Sequence, residues 1–371
     1  MHLKCVLRTA TTLFFSSVGI QELQANASAR TPVSSSEQLA WQDCQQVNNR
    51  EKRLACFDGW AQRQSLGVDQ SQSGRGHADP IATSVVSNAA RDGCRDKQYS
   101  ALSRFWELEA GSDCGTYRLR GYRPLNVSIS TATDRPETPA SQADENSAYQ
   151  ANEARISLSF RTKLAQNLLT DDVSPGQDSL WFGYSQQSTW QVFNEDLSRP
   201  FRSTDHEPEI MYVYPTDVSF FGGWRLRYTG AGAVHHSNGE SQELSRSWNR
   251  VYVMGGAELD DRFQVTGRLW HRVREDSETD DNPDIADYIG RAEIAGRWNY
   301  DQDNTFDATL RSSLKSGGRG SLRLEWFKAI GDPSRSNLRL HTQLFHGYGD
   351  TLIDYNRART VFSIGLSLVD F

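Results

Sequence analysis

Leu338-Arg339-Leu340-His341-Thr342-Gln343-Leu344-Phe345 and the earlier Leu322-Arg323-Leu324-Glu325-Trp326-Phe327 decide the fold. In each, an apolar side chain returns at every second position, the period of a β-strand with two unlike faces. The second face carries Arg339, His341 and Gln343 in one stretch and Arg323 and Glu325 in the other. Further out, Leu180, Phe182 and Tyr184 alternate with Trp181, Gly183 and Ser185, and Trp224, Leu226 and Tyr228 with Arg225, Arg227 and Thr229. Val265, Gly267 and Leu269 oppose Thr266, Arg268 and Trp270, and Ile294, Gly296 and Trp298 oppose Glu293, Ala295 and Arg297. A soluble sandwich would turn the charged face to water. A membrane barrel turns it to the lumen, where arginine and glutamate from neighbouring strands pair and leave no open pore. The same charge on the lipid side at mid-bilayer would cost roughly 2–4 kcal/mol.

About twelve such segments lie near 117–130, 153–164, 179–191, 207–215, 222–234, 248–259, 262–273, 288–301, 304–315, 320–329, 336–348 and 359–371. The expected fold is all-β, a twelve-stranded antiparallel transmembrane β-barrel with a small N-terminal periplasmic extension. An even strand number returns both ends to the periplasmic side. Odd strands then run outward, which places the loop near 235–247 outside. Phe371 suits the aromatic last residue of many outer-membrane proteins, but Phe362, Ile364, Leu366 and Leu368 have the opposite parity. A bulge there, or a reassigned face, would reconcile them.

Beyond the first twenty residues no apolar run is long enough for a membrane helix. Ten Trp, thirteen Tyr and sixteen Phe suit interfacial girdles, and a net charge of -7 without a basic block excludes nucleic acid as a partner. At the N-terminus, Lys4 and Arg8, a mildly apolar Thr9 to Ile20 and the small residues around Ala25-Asn26-Ala27 read as an export signal over 1–27. Residues 28–115 read as a periplasmic extension with a linker at 62–90, and 116–371 as the barrel. Cys44, Cys56, Cys94 and Cys114 are an even set for an oxidising compartment, and proximity pairs 44–56 and 94–114. No cysteine pair has zinc-site spacing.

The chemistry concentrates in His235-His236-Ser237-Asn238-Gly239 and Ser245-Arg246-Ser247-Trp248-Asn249-Arg250. Residues i and i+2 of a strand share a face, so His235 can serve Ser237 as a base. Asn249, on the far side of the hairpin, can return to His235 and fix its tautomer without placing a full carboxylate at a membrane boundary. Counted from Trp224, Leu226 and Tyr228, however, His235 and Ser237 fall on the lumen side, and a bulge near Gly230 to Gly232 would restore them to the lipid side. His236 points the other way and reads as structural. His271, His341 and His346 read as lumen or girdle residues, and Asp280, Asp281 and Asp284 as a solvated outer loop. Arg246 and Arg250 suit lipid phosphate and lumen pairing equally.

This block resembles the active-site block of the outer-membrane phospholipase A family. The resemblance extends through Ser179-Leu180-Trp181-Phe182-Gly183-Tyr184-Ser185-Gln186, Arg199-Pro200-Phe201-Arg202, Asp280-Asp281-Asn282-Pro283-Asp284 and Gly347-Tyr348-Gly349-Asp350, covering about 117–371. It implies a calcium-dependent hydrolase of phospholipid acyl esters (phospholipase A1, with A2 and lysophospholipase activity), working at the outer leaflet as a homodimer. It implies His235 as base, Ser237 as nucleophile and Asn249 as orienter. Calcium would take the Ser245 hydroxyl, the Glu240 carbonyl and, from the other subunit, the Ser198 carbonyl, while Gln186 would lie in the dimer interface. The family commonly has a basic residue where this chain has Glu240. The competing reading is a non-enzymatic barrel, a pore or structural protein on the same scaffold.

Overall fold

The computed structural model describes residues 47, 49, 52–57, 93–137, 148–171, 176–197, 201–241, 244–278, 280–333 and 336–369. The export signal, Cys44, Ser198 and Phe371 lie outside the described residues. The chain divides into two compact units, Met1–Val85 and Val86–Phe371, and the second carries the barrel.

Its strands are β1 (Leu119–Gly121), β2 (Leu125–Ala132), β3 (Asn152–Gln166), β4 (Ser179–Trp190), β5 (Ser203–Ser219), β6 (Arg225–Ser237) and β7 (Ser247–Leu259). They continue with β8 (Phe263–Val273), β9 (Ala292–Asn299), β10 (Asn304–Ser312), β11 (Gly320–Ala329), β12 (Leu338–Gly347) and β13 (Arg359–Leu368). Twelve of them, β2 to β13, pair antiparallel with their chain neighbours and close through β13 on β2. The segment expected as one strand over 117–130 is broken: β1 pairs with the later part of β3 and β2 with the earlier part. Closure pairs the twelve strands edge to edge, as the membrane requires, while β1 pairs with β3 alone.

The two faces sort as their chemistry demands. Val127, Ile129, Ile294, Leu324, Leu344, Phe362 and Ile364 stand on the outside. Inside, Arg297 pairs with Asp307 at 2.7 Å, Arg311 with Glu293 at 2.8 Å, Arg250 with Glu207 at 3.0 Å and His341 with Glu325 at 3.0 Å. The apolar parity of β13 is thus the lipid parity, with Leu366 and Leu368 also outside.

One end is stopped by residues 93–115, which the sequence places with the extension and the structure places in the barrel unit. Cys94 and Cys114 form a disulfide around α1 (Ala101–Trp106). Trp106 is buried edge-on against Trp181, with ring centroids 5.8 Å apart, and packs on Tyr228. Glu107 ends α1 in the left-handed region and meets Arg120 and Lys163. Arg227 reaches Ser103 and Glu109, and Glu258 accepts the Leu102 N–H at 3.2 Å. The other end is covered by 348–358: Asp350 grips Arg155 at 2.7 and 2.6 Å, the buried Leu352 N–H donates to Asp205, and Asp354 pairs with Arg202. A cavity of about 400 Å³ remains between α1 and this loop. The pore alternative therefore meets a lumen covered at both ends.

The bulge that sets the site's face is at Arg227, not at Gly230 to Gly232. The β6–β7 register shifts between Leu226 and Tyr228, and Arg227 and Tyr228 are both buried. Beyond it Tyr228 and Val234 point in, and His235 points out. The glycines answer a different need: a Cβ at Gly232 would lie 2.5 Å from the Tyr252 ring, so glycine lets that ring fill the lumen.

Candidate active site

His235 and Ser237 at the end of β6 and Asn249 at the start of β7 lie on the lipid-facing side near the 348–358 end, and of the three the structure brings His235 and Asn249 into contact. The register pairs His235 with Asn249 and Ser237 with Ser247. Directly opposed side chains on one face are close enough to bond. His235 Nδ1 and Asn249 Oδ1 are 2.8 Å apart. Asn249 Nδ2 donates to Glu275 Oε1 at 3.1 Å, which turns the amide oxygen toward the imidazole. With Nδ1 carrying its proton for Asn249, the Nε2 lone pair is left for a serine hydroxyl. Ser237 shares the face two residues along.

The hairpin loop is held from within. The buried Asn238 donates from Nδ2 to Leu244 O at 2.7 Å and accepts at Oδ1 from the Arg246 N–H at 2.9 Å and the Glu240 N–H at 3.3 Å. From the next loop, Asn282 brackets Ser247, accepting its N–H at 3.0 Å and donating to its carbonyl at 2.8 Å. Asp280 pairs with Arg272 at 2.6 Å, and Asp284 accepts from the Tyr355 hydroxyl. Asp280 and Asp284 thus tie this loop to β8 and to the 348–358 loop, while Asp281 is exposed. Burial pushes the Tyr355 hydroxyl above its ordinary range, and Asp284 adds to it.

Glu240 and Ser245 lie on this loop, as the resemblance implies, and Ser198 lies outside the described residues. Arg246 donates to the Ser245 carbonyl at 2.6 Å, and the Ser245 hydroxyl is the oxygen the resemblance assigns to the metal. With the Glu240 carbonyl and carboxylate, the donor set is oxygen only, on a loop whose two halves are tied by Asn238. That chemistry fits calcium, a hard cation served by carbonyl, hydroxyl and carboxylate oxygens.

The remaining candidates separate cleanly. His236 points inward, where its Nδ1 accepts from the Trp248 indole at 3.2 Å and faces Glu207 at 3.3 Å. Arg250 lies in the lumen over Trp248. His341 is in the lumen, and His271 and His346 are on the exposed side. Gln186 is on the lipid side and has partners within the chain, accepting from the Tyr184 hydroxyl at 3.0 Å and donating to Ser188 Oγ at 3.1 Å. Sequence reasoning missed Glu275, hidden in an acidic loop, and the asparagines Asn238 and Asn282, whose roles are to bond backbone.

A barrel covered at both ends, with a serine and a histidine–asparagine pair on its lipid side, fits one class, the membrane-embedded lipid ester hydrolase. Residues 102–368 match the phospholipase A1 family, and the chain belongs to that family. A curated relative from Neisseria meningitidis serogroup B is 34% identical over 281 residues, which are 73% of this chain and 71% of that one. A solved outer membrane phospholipase A from Escherichia coli, an asparagine-to-alanine active-site variant, superposes with a TM-score of 0.61 at 31% identity, covering 70% of this chain and 94% of its own. The calcium-bound dimer of the Salmonella typhi outer membrane phospholipase gives 0.60 at 30% identity, covering 68% and 93%. Phospholipid hydrolysis and an outer-membrane location follow for this chain from its family and its barrel.

Proposed function

We propose that this protein is a calcium-dependent phospholipase A1, with A2 and lysophospholipase activity, that works at the outer leaflet through Ser237, His235 and Asn249. The observation that carries the reading is the 2.8 Å contact of His235 Nδ1 with Asn249 Oδ1 on the lipid-facing side, in register beside Ser237. The asparagine substituted in the Escherichia coli active-site variant supports the role of Asn249. The oxygen donors on the hairpin loop, and the calcium in the Salmonella typhi dimer, support the metal.

His235 Nε2 takes the Ser237 hydroxyl proton as Oγ attacks the acyl carbonyl. The bond to the glycerol oxygen breaks, and His235 returns the proton to that oxygen, releasing the lysophospholipid. Water, deprotonated by His235, then cleaves the acyl-serine and frees the fatty acid. Asn249 steadies the imidazole through both steps, and Glu275 steadies Asn249. The Asn238 N–H is engaged by Arg246 O at 3.0 Å, so the Gly239 N–H, at a positive φ of 67° that suits glycine, is the backbone donor for the oxyanion. Bound calcium would supply Lewis-acid stabilisation of the same charge. Ser245, Glu240 and Ser198 from a second copy would hold it, which makes the homodimer the active state, with Gln186 at its interface.

The test is fatty-acid release from a diacyl phospholipid in detergent micelles, with calcium and with chelator, for the refolded protein and for S237A. Release that needs both calcium and Ser237 is the expected result. Full turnover by folded S237A would remove Ser237 as nucleophile.

A further inference from the structure

Strand β7 begins with a residue that β8 does not reach. The β7–β8 ladder starts at Asn249 with Val273, where β8 ends. The same register, carried further, would set Glu275 opposite Ser247. Glu275 instead turns its carboxylate to Asn249 Nδ2. Ser247 thus has a strand on one edge only, β6, where its register partner is Ser237.

Asn282 fills the empty edge. Its Oδ1 accepts the Ser247 N–H at 3.0 Å, and its Nδ2 donates to the Ser247 carbonyl at 2.8 Å. A side-chain amide carries the donor and the acceptor of a peptide group. Asn282 therefore makes both ladder bonds that a β8 residue would have made. The amide is itself fixed. Asn282 is fully buried, its N–H donates to Asp280 Oδ1 at 3.1 Å, and its carbonyl accepts from the Ile285 N–H at 3.1 Å. Asp280 is in turn held by Arg272 of β8.

The consequence falls on Ser237. Both polar backbone groups of Ser247 point away from β6, so the Ser237–Ser247 pair has no ladder bond of its own. Such pairs bring their Cα atoms to about 4.5 Å and their side chains closest together. Ser237 is also the last residue of β6, with the hairpin loop directly after it. On the loop side the pair is held by the Asn238 N–H bonded to Arg246 O at 3.0 Å. On the β8 side it is held by Asn282.

We propose that Asn282 is the positioning residue of Ser237. By standing in for the missing strand it fixes the start of β7, and with it the setting of Ser237 against the His235–Asn249 pair. This rests on the function proposed above. Fully buried, Asn282 meets no lipid, so its loss changes how Ser237 is aimed and not how substrate is bound.

The experiment measures hydrolysis of dioleoylphosphatidylcholine in calcium-containing mixed micelles by N282A and by the isosteric N282D, which keeps an acceptor for the Ser247 N–H and lacks the donor for its carbonyl. Working sites are counted by taking an alkylsulfonyl fluoride to completion and measuring the Ser237 adduct by mass spectrometry, so unfolded protein drops out of the count. In N282A, kcat per counted site falls about 10- to 100-fold, the cost of a misplaced reacting group, with KM unchanged. N282D shows the same split. The rate of sulfonylation, which needs no phospholipid, falls in parallel. A loss confined to the number of sites, with kcat per site intact, makes Asn282 a folding residue only and overturns the proposal. So does a loss that saturating calcium repairs, which assigns Asn282 to the metal loop, or one that appears in KM alone. A wild-type protein inactive on the lipid and unlabelled at Ser237 would overturn the hydrolase reading, and this inference with it.

Discussion

Asn249 is a neutral amide, and a neutral amide must be told which end to present. Glu275 does so by accepting from Nδ2, leaving Oδ1 for His235. N249A should lower turnover on a diacyl phospholipid about 10- to 100-fold, the range for one hydrogen bond to a group that becomes charged, with little change in KM. E275A, which leaves the amide free to turn over, should cost less, and E275Q less still because its carbonyl oxygen accepts from Nδ2. An E275A loss as large as that of N249A would mean that Glu275 touches the chemistry itself. The proposed triad could be named from the sequence because residues i and i+2 of a strand share a face and Asn249 lies across the hairpin, and the structure brings His235 and Asn249 into contact. Glu275 was not legible, since nothing in an acidic loop marks the one carboxylate that turns back.

At the scale of the element, β6 shows what period two can and cannot disclose. Most strand positions follow directly, since lipid on one side and paired charge on the other leave a plain alternation. The β6 bulge does not, because Tyr228 is as apolar as a lipid-facing residue and spends its ring inside, against Trp106. The shift at Arg227 turns the rest of the strand over, and one residue decides which face His235 and Ser237 take. Deleting Arg227 should abolish phospholipase turnover, either by turning the pair inward or by preventing barrel formation, whereas R227A keeps the extra residue and retains turnover at reduced stability. Heat-modifiable migration with the micelle assay separates the cases, and an active deletion variant would refute this account of the face. The stretch holding α1 reads in the sequence as a short helix or lead-in but not as part of the barrel, because the two-residue period begins only after it.

For the whole molecule, the closed ends govern both stability and transport. Burial pushes the Asp350 carboxyl up, but Arg155, Arg359 and Arg323 outweigh it and hold it below its ordinary value. The native carboxyl is thus the stronger acid. Its contribution is fully present above the unfolded pKa, near 3.9, and is lost as pH falls through the lower native value. D350N should therefore destabilise the refolded barrel at pH 7 and narrow toward wild type in strong acid, as followed by denaturant titration across pH. A constant gap would exclude the ionised pair as the cause. In planar bilayers the protein should show no steady ion conductance, and open-channel currents would contradict the covered lumen.

The lipid-facing position of Ser237 also changes what counts as concentration. The enzyme and its substrate share a sheet of fluid two molecules thick, and they meet by sideways drift within it. Dissolved lipid in the surrounding water hardly enters the rate. What counts is the fraction of neighbours around the barrel that are cleavable, so an inert amphiphile added to the same membrane would slow the enzyme by crowding its perimeter.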